Sequence, residues 1–211
     1  MTPNLTHYCH SWSQAVAAIN TQDERMAFFQ HHFPELLLDR NTLVQVLEQM
    51  AHGGAWPDLR QARLFANEVL LYLDPGRRFS LRAYFHPPAW HTEIHDHTAW
   101  GVSGTPFGRL SVITYQRRDE GKTERCELEP GQQSLLNPGE VALTLPWDQG
   151  IHQTGSPDDR INVMFSVYGR PGRRLHINIY DIQNGRVRRR FAPRIHRRML
   201  AQAALDAART T

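Results

Sequence analysis

Two cysteines, Cys9 and Cys126, are all that this chain of 211 residues contains, and they stand in unrelated contexts. That excludes a disulfide framework as the source of stability and leads us to expect a reducing, cytoplasmic setting. Also missing is any run of about 18 apolar residues, the length needed to span a bilayer, so no membrane partner is expected. The first ten residues lack a basic segment followed by an apolar one and do not read as a secretory signal. Internal repeats, low-complexity tracts and linker-like stretches are absent, which makes one domain over 1–211 the economical reading. Charge of one sign is scarce too, since 24 Lys and Arg against 21 Asp and Glu leave a net +3. Much of the excess lies in one place, with seven arginines between Arg186 and Arg198 and no aromatic among them except Phe191. A solvated strand end leading into a helix is expected there, and a nucleic-acid partner is not. The oligomeric state stays open.

What the chain does have begins with helical patterning. Ser11 or Ser13 is placed to cap a helix running to about Ile19, and Thr21-Gln22-Asp23-Glu24 fits a capping box for a second. Met26, Phe29 and Phe33 give that second helix its apolar stripe, and Pro34 punctuates it. A third is expected from Asn41 or Thr42 with Leu43, Val46, Leu47 and Met50 on one face, ending at Gly53-Gly54. From about Asn67 the pattern turns to short β-rich runs: 69–73, 79–85, 92–97, 110–115, 125–128, 141–145, 161–168 and 175–181. Turn formers separate them, among them Asp74-Pro75-Gly76, Glu129-Pro130-Gly131 and Asn137-Pro138-Gly139. That many short strands implies a sandwich, jelly roll or closed barrel. Helix returns at about 197–209, with Met199, Ala203 and Leu205 available for docking. The expected architecture is mainly β, with a helical portion over 1–65, a barrel over 66–192 and a C-terminal helix over 193–211.

The chemistry is concentrated in Glu93-Ile94-His95-Asp96-His97 and in His152, which follows 55 residues after the second histidine. Histidines one residue apart on a strand point to the same face, because strand side chains alternate. Two imidazoles there can grip one metal ion, and a third from a distant strand would complete a facial set with positions left open. Glu93 and His91 share the parity of the pair. Glu93 is open to three readings: a ligand, an acceptor for an imidazole N–H, or a solvated residue at the barrel mouth; His91 reads as a mouth residue.

These residues resemble the thiol dioxygenase branch of the cupins, the cysteine dioxygenase and mercaptopropionate dioxygenase family. The likeness is carried by His95-Asp96-His97-Thr98-Ala99-Trp100-Gly101, Asn137-Pro138-Gly139-Glu140, Ile151-His152 and Val167-Tyr168-Gly169. It implies a jelly-roll barrel, the cupin double-stranded β-helix. It also implies Fe(2+) held by His95, His97 and His152, with a small thiol and O2 as the reacting partners and a sulfinic acid as product. The carboxylate that cupins usually carry after the histidine pair is replaced by Trp100, Gly101 and Val102, which fits an all-histidine site. Tyr168 takes the place of the family's catalytic tyrosine. The histidine and serine that usually precede it in alternation are Ser166 and Met164 here, so the hydrogen-bonded relay is expected to be broken. No cysteine stands near Gly101 or Val102 to crosslink the tyrosine. For the substrate carboxylate, the resemblance implies an arginine shortly after Tyr168, where Arg173 and Arg174 stand; Arg82, interrupting an apolar strand, is a further candidate.

Two other functions stay open at this stage. One keeps the metal and changes the reaction to carbon–carbon cleavage by a dioxygenase or to isomerisation. The other is a non-catalytic cupin that binds a small molecule.

Overall fold

The computed structural model describes residues 4–53, 64–121 and 123–210. Three helices open the chain: α1 (Leu5–Ala15), α2 (Gln22–Leu38) and α3 (Arg40–Ala51). The cap of α1 is Asn4, whose side chain accepts from the His7 amide at 3.0 Å, and not Ser11 or Ser13. Ser13 instead donates to the buried Asp74 at 2.5 Å, tying the helix to the sheet beneath. The capping box of α2 forms as expected between Thr21 and Glu24. Pro34, which punctuates the stripe in the sequence, lies inside α2 and does not interrupt it. The residues beyond it explain why. Leu36 and Leu37 are fully buried, and helix is the conformation that keeps them on the face already set by Phe29 and Phe33. Asp39, not Asn41 or Thr42, caps α3 by accepting from the Thr42 amide. Gly53 follows α3 with φ at 76°, while Gly54 lies outside the described residues.

The rest is two antiparallel sheets. One contains β1 (Glu68–Leu73), β2 (Phe79–His86), β9 (Asn162–Gly169), β4 (Gly101–Gly104) and β7 (Val141–Thr144), in that order. The other runs β11 (Arg186–Phe191), β10 (His176–Asp181), β3 (Ile94–His95), β8 (His152–Gly155), β5 (Leu110–Arg117) and β6 (Leu128–Leu136). Chain-distant strands are interleaved in both, the layout of a jelly roll and the mainly β class the sequence implies. The helices cover the outer face of the five-stranded sheet. There Phe29 and Phe33 pack with Leu81, Ala83, Val102, Phe165 and Val167 in one cluster. On the opposite face of the same strands, Ser80, Arg82, Tyr84 and His86 lie across from Tyr168, Ser166, Met164 and Asn162. This inward row is where the site is built.

Two expectations change and one strand is added. Glu129-Pro130-Gly131 is not a turn but part of β6, an edge strand whose pairing with β5 shifts register between Ile113 and Tyr115. Proline lacks an N–H and is tolerated at such an edge. The glycine is needed because a Cβ there would come within 2.8 Å of Thr114 Oγ1. The glycine-flanked Gly101–Gly104 is a central strand, since Gly101 lies against the Tyr168 ring and Gly104 against the carbonyl of Glu140. The C-terminal helix, α4, starts at Pro193 and leaves Met199 and Leu200 exposed instead of docked; the side chain of Leu205 lies outside the described residues. No helix among the described residues is long and apolar enough to cross a membrane.

Candidate metal centre

β3 and β8 pair with His95 directly opposite His152, and His97 follows two residues after His95. All three histidines are buried. His97 Nε2 and His152 Nε2 are 3.2 Å apart, and one ring nitrogen from each of the three lies within 4.8 Å of the others. Among the described residues this is the one cluster of His, Cys, Asp or Glu arranged to share an ion.

The far sides of the rings fix which nitrogen is free. His95 Nδ1 lies 2.8 Å from the Glu93 backbone carbonyl, an acceptor, so Nδ1 carries the proton and Nε2 keeps its lone pair. His152 Nδ1 is 3.3 Å from Thr144 Oγ1, and its ring also bonds the backbone of Gly150. Burial holds His97 and His152 well below the ordinary histidine range, and the neighbouring histidines add to the effect. His95 is lowered by burial too, with the Glu93 carbonyl pulling the other way. Three neutral imidazoles aimed at one point are a donor set that suits iron, zinc, copper or nickel, so these residues fit a divalent transition metal.

Asp96, between the two histidines, faces the opposite way and is fully buried. It accepts from the Asn178 amide at 2.8 Å, Asn178 Nδ2 at 2.9 Å, Arg174 at 2.5 Å and the Tyr180 hydroxyl at 3.4 Å. That anchors the histidine segment to β10. Strand alternation was the signal available for this residue in the sequence, since what lies between two inward histidines must face outward.

Tyr168 stacks on His97, ring centroids 5.2 Å apart at 27°. Gly101 makes this possible, because a Cβ there would fall 2.8 Å from the Tyr168 ring. Burial pushes the Tyr168 hydroxyl up, while hydrogen bonds from Ser166, Tyr84 and Ser103 and the charge of Arg82 pull it back. Tyr84 is raised further by burial and by Tyr168. Ser166 Oγ lies 2.7 Å from Ser103 Oγ. Met164 brings no polar group to Tyr168, as expected, and the polar groups beside its hydroxyl come from Ser166, from Ser103 on β4 and from Tyr84 on β2. Met164 packs with Tyr84, Leu110 and Val112 in the barrel interior.

Beside His97 and Tyr168 opens a cavity of about 420 Å³, also lined by Tyr84, Arg82 and Arg174. The arginines expected at the substrate separate here. Arg82 is ion-paired with the buried Glu68. Arg174 is paired with Asp96 and stacked on Trp147, its guanidinium 4.3 Å from the ring centroid. Arg173 is exposed and lies outside the cavity lining, turned away from the site by the bend that brings Gly172 and Arg174 to it. Glu93 stands apart from the histidine cluster: its carboxylate is exposed and ion-paired with Arg188 and Arg190 on β11. Those two charges outcompete the neutral rings for it. His91 bridges to Gly155 and lines no part of the cavity.

No family model matches the chain. Several solved structures are similar to part of it. A cupin-2 domain from Rhodospirillum rubrum aligns at 15% identity over 51% of this chain and 61% of that one, with a TM-score of 0.39. A cupin 2 conserved barrel domain protein from Rhodopseudomonas palustris aligns at 13% identity over 55% and 67%, TM-score 0.41. An oxalate oxidase in complex with the substrate analogue glycolate aligns at 18% identity over 58% and 61%, TM-score 0.38. These overlaps are partial and loose, so the fold rests on the strand order described above and the site on the histidine geometry.

Proposed function

We propose that this protein is a non-haem iron dioxygenase that oxidises a thiol to a sulfinic acid, with Fe(2+) held by His95, His97 and His152. The observation that carries this reading is the convergence of three neutral, buried imidazoles beside a stacked tyrosine, with no carboxylate in the cluster. Three neutral ligands leave a divalent ion its full positive charge, which favours an anionic thiolate over a neutral ligand. Ferrous iron, when bound there, supplies the redox chemistry by which both oxygen atoms are added to sulfur. The chain's own groups do the rest. Tyr168, at the cavity wall against His97, presents a protonated hydroxyl that hydrogen-bonds reactants at the histidine face. Ser166, Ser103 and Tyr84 fix where that proton points. The closed apolar floor of Tyr84, Met164, Leu110 and Val112 keeps bulk water out.

Carbon–carbon cleavage and isomerisation, which the replacement of the Ser/His pair by Met164 and Ser166 favours, do not gain a carboxylate ligand as well, because Glu93 is paired with Arg188 and Arg190. The test is oxygen uptake by the iron-loaded protein with a panel of thiols, coupled to detection of sulfinate. Uptake matched by sulfinate is expected, abolished in His97→Ala and lowered roughly 10²-fold in Tyr168→Phe. Full iron loading without uptake on any thiol sinks the proposal.

A further inference from the structure

The two arginines whose charge acts on His97, Arg82 and Arg174, are both already neutralised, by Glu68 and Asp96. Neither has a free charge to offer a carboxylate deep in the cavity. The cations that line the cavity without a carboxylate partner among the described residues are Arg77 and Arg170, and both are exposed at its opening. Topology puts them side by side. Phe79 pairs with Gly169 across β2 and β9, so Arg77, two residues before the one, and Arg170, next after the other, leave the same end of adjacent strands. Arg77 holds φ at 54°, a left-handed conformation rare for arginine, in the tight loop closed by Asp74. The rest of the lining is mainly apolar, with Leu64, Phe65, Leu73, Ile195 and Leu175, the last 63% exposed, and with Glu68 and Ser80 among its polar members. A cavity of about 420 Å³ falls in the range that encloses a drug-sized ligand, far more than a three-carbon thiol acid fills.

Building on the thiol-oxidation reading, we infer that the substrate is an extended thiol. Its thiol end lies at the histidines, its medium-length apolar body along the Phe65–Leu175 wall, and a carboxylate or phosphate at its far end on Arg77 and Arg170. The anion is held at the rim, where its desolvation is least costly, and the apolar body supplies most of the affinity as its methylenes leave water.

Calorimetric titration of the full chain, without oxygen or turnover, tests this with octanoate, octyl phosphate, octanol and butyrate. Octanoate or octyl phosphate, whichever head group fits, is expected to bind at least about tenfold more tightly than octanol and than butyrate. The double variant Arg77→Asn/Arg170→Gln is expected to lose that advantage over octanol while still binding one metal ion; asparagine is chosen because it tolerates the left-handed φ. Octanol binding as well as the anions, butyrate binding as well as octanoate, or an unchanged double variant each overturns the inference. Because no sulfur is oxidised in these titrations, failure of the thiol reaction does not alter what they measure. Oxidation of short thiols alongside failed anion binding overturns only the substrate class.

Discussion

His86 continues the inward row of Ser80, Arg82 and Tyr84, yet neither of its ring nitrogens has a hydrogen-bond partner among the described residues and none of its surface is exposed. Burial, with smaller contributions from His91 and His95, lowers its pKa to about 4. An unfolded histidine titrates near 6.5, so between those values the unfolded chain takes up a proton that the folded one refuses. The neutral ring's contribution to stability is therefore complete above about pH 6.5 and is lost as the pH falls towards 4. The loss runs at up to about 1.4 kcal/mol per pH unit. His86→Leu is expected to flatten the decline by one proton's worth. Urea midpoints at pH 7.5 and pH 5 read this directly, and His95, His97 and His152 titrate in both proteins, so the difference isolates His86. Parallel declines in the two proteins would show that His86 is not buried in its neutral form.

At the scale of elements, the segment that carries His95 and His97 is two residues of strand and a short extension, too little to hold two rings in place alone. Its rigidity comes from Asp96, which accepts four hydrogen bonds from three residues on or next to β10. Asp96→Ala strands the half-buried Arg174 and the Asn178 amide, and a cost of about 3–5 kcal/mol is expected. Metal affinity should fall by roughly 10–100-fold as the rings lose their fixed orientation. Metal titration against the unfolding midpoint separates the two effects. A variant that loses stability but keeps full metal affinity would show that the anchor does not orient the rings. This coupling bears on what the sequence could tell. The histidine pair and the Thr21 capping box were legible because each is written in local spacing, whereas His152, 55 residues away, was reached through the family resemblance. β4 was not, since Gly101–Gly104 has too few β-forming side chains to read as a β-rich run, and Gly101 is explained only by the Tyr168 ring packed against it. Nor was the contact of Ser103 with Ser166, because it depends on strand pairing between residues 63 apart, which no local pattern records. Arg82 read as a lone charge in an apolar strand for the same reason, its partner Glu68 being set by the pairing of β1 with β2.

On the scale of the whole molecule, the helices and the three-histidine cluster lie on opposite faces of one sheet. The helical cluster around Phe29 and Phe33 packs on the outward residues of β2, β9 and β4, while the inward residues of β2 and β9 meet the histidines of the other sheet. An ion bound by His95, His97 and His152 would tie β3 to β8 across their pairing, and the unfolded chain holds no such cluster. Metal should therefore stabilise the fold by mass action, by about 2.7 kcal/mol at a free concentration one hundred times Kd. For a chain of this length that corresponds to a rise in Tm of roughly 5–10 °C. Zinc serves as a redox-silent probe of the same nitrogen donors. Thr21→Ala breaks the capping box on the far side of the sheet, costing about 1 kcal/mol, and should lower Tm with and without zinc while leaving the metal-induced rise unchanged. His97→Ala should lose the rise altogether. Melting curves of the three proteins, each with chelator and with excess zinc, decide the matter. A rise that survives in His97→Ala would place the stabilising ion elsewhere, and one that shrinks in Thr21→Ala would mean that the helical face and the histidine centre are not independent.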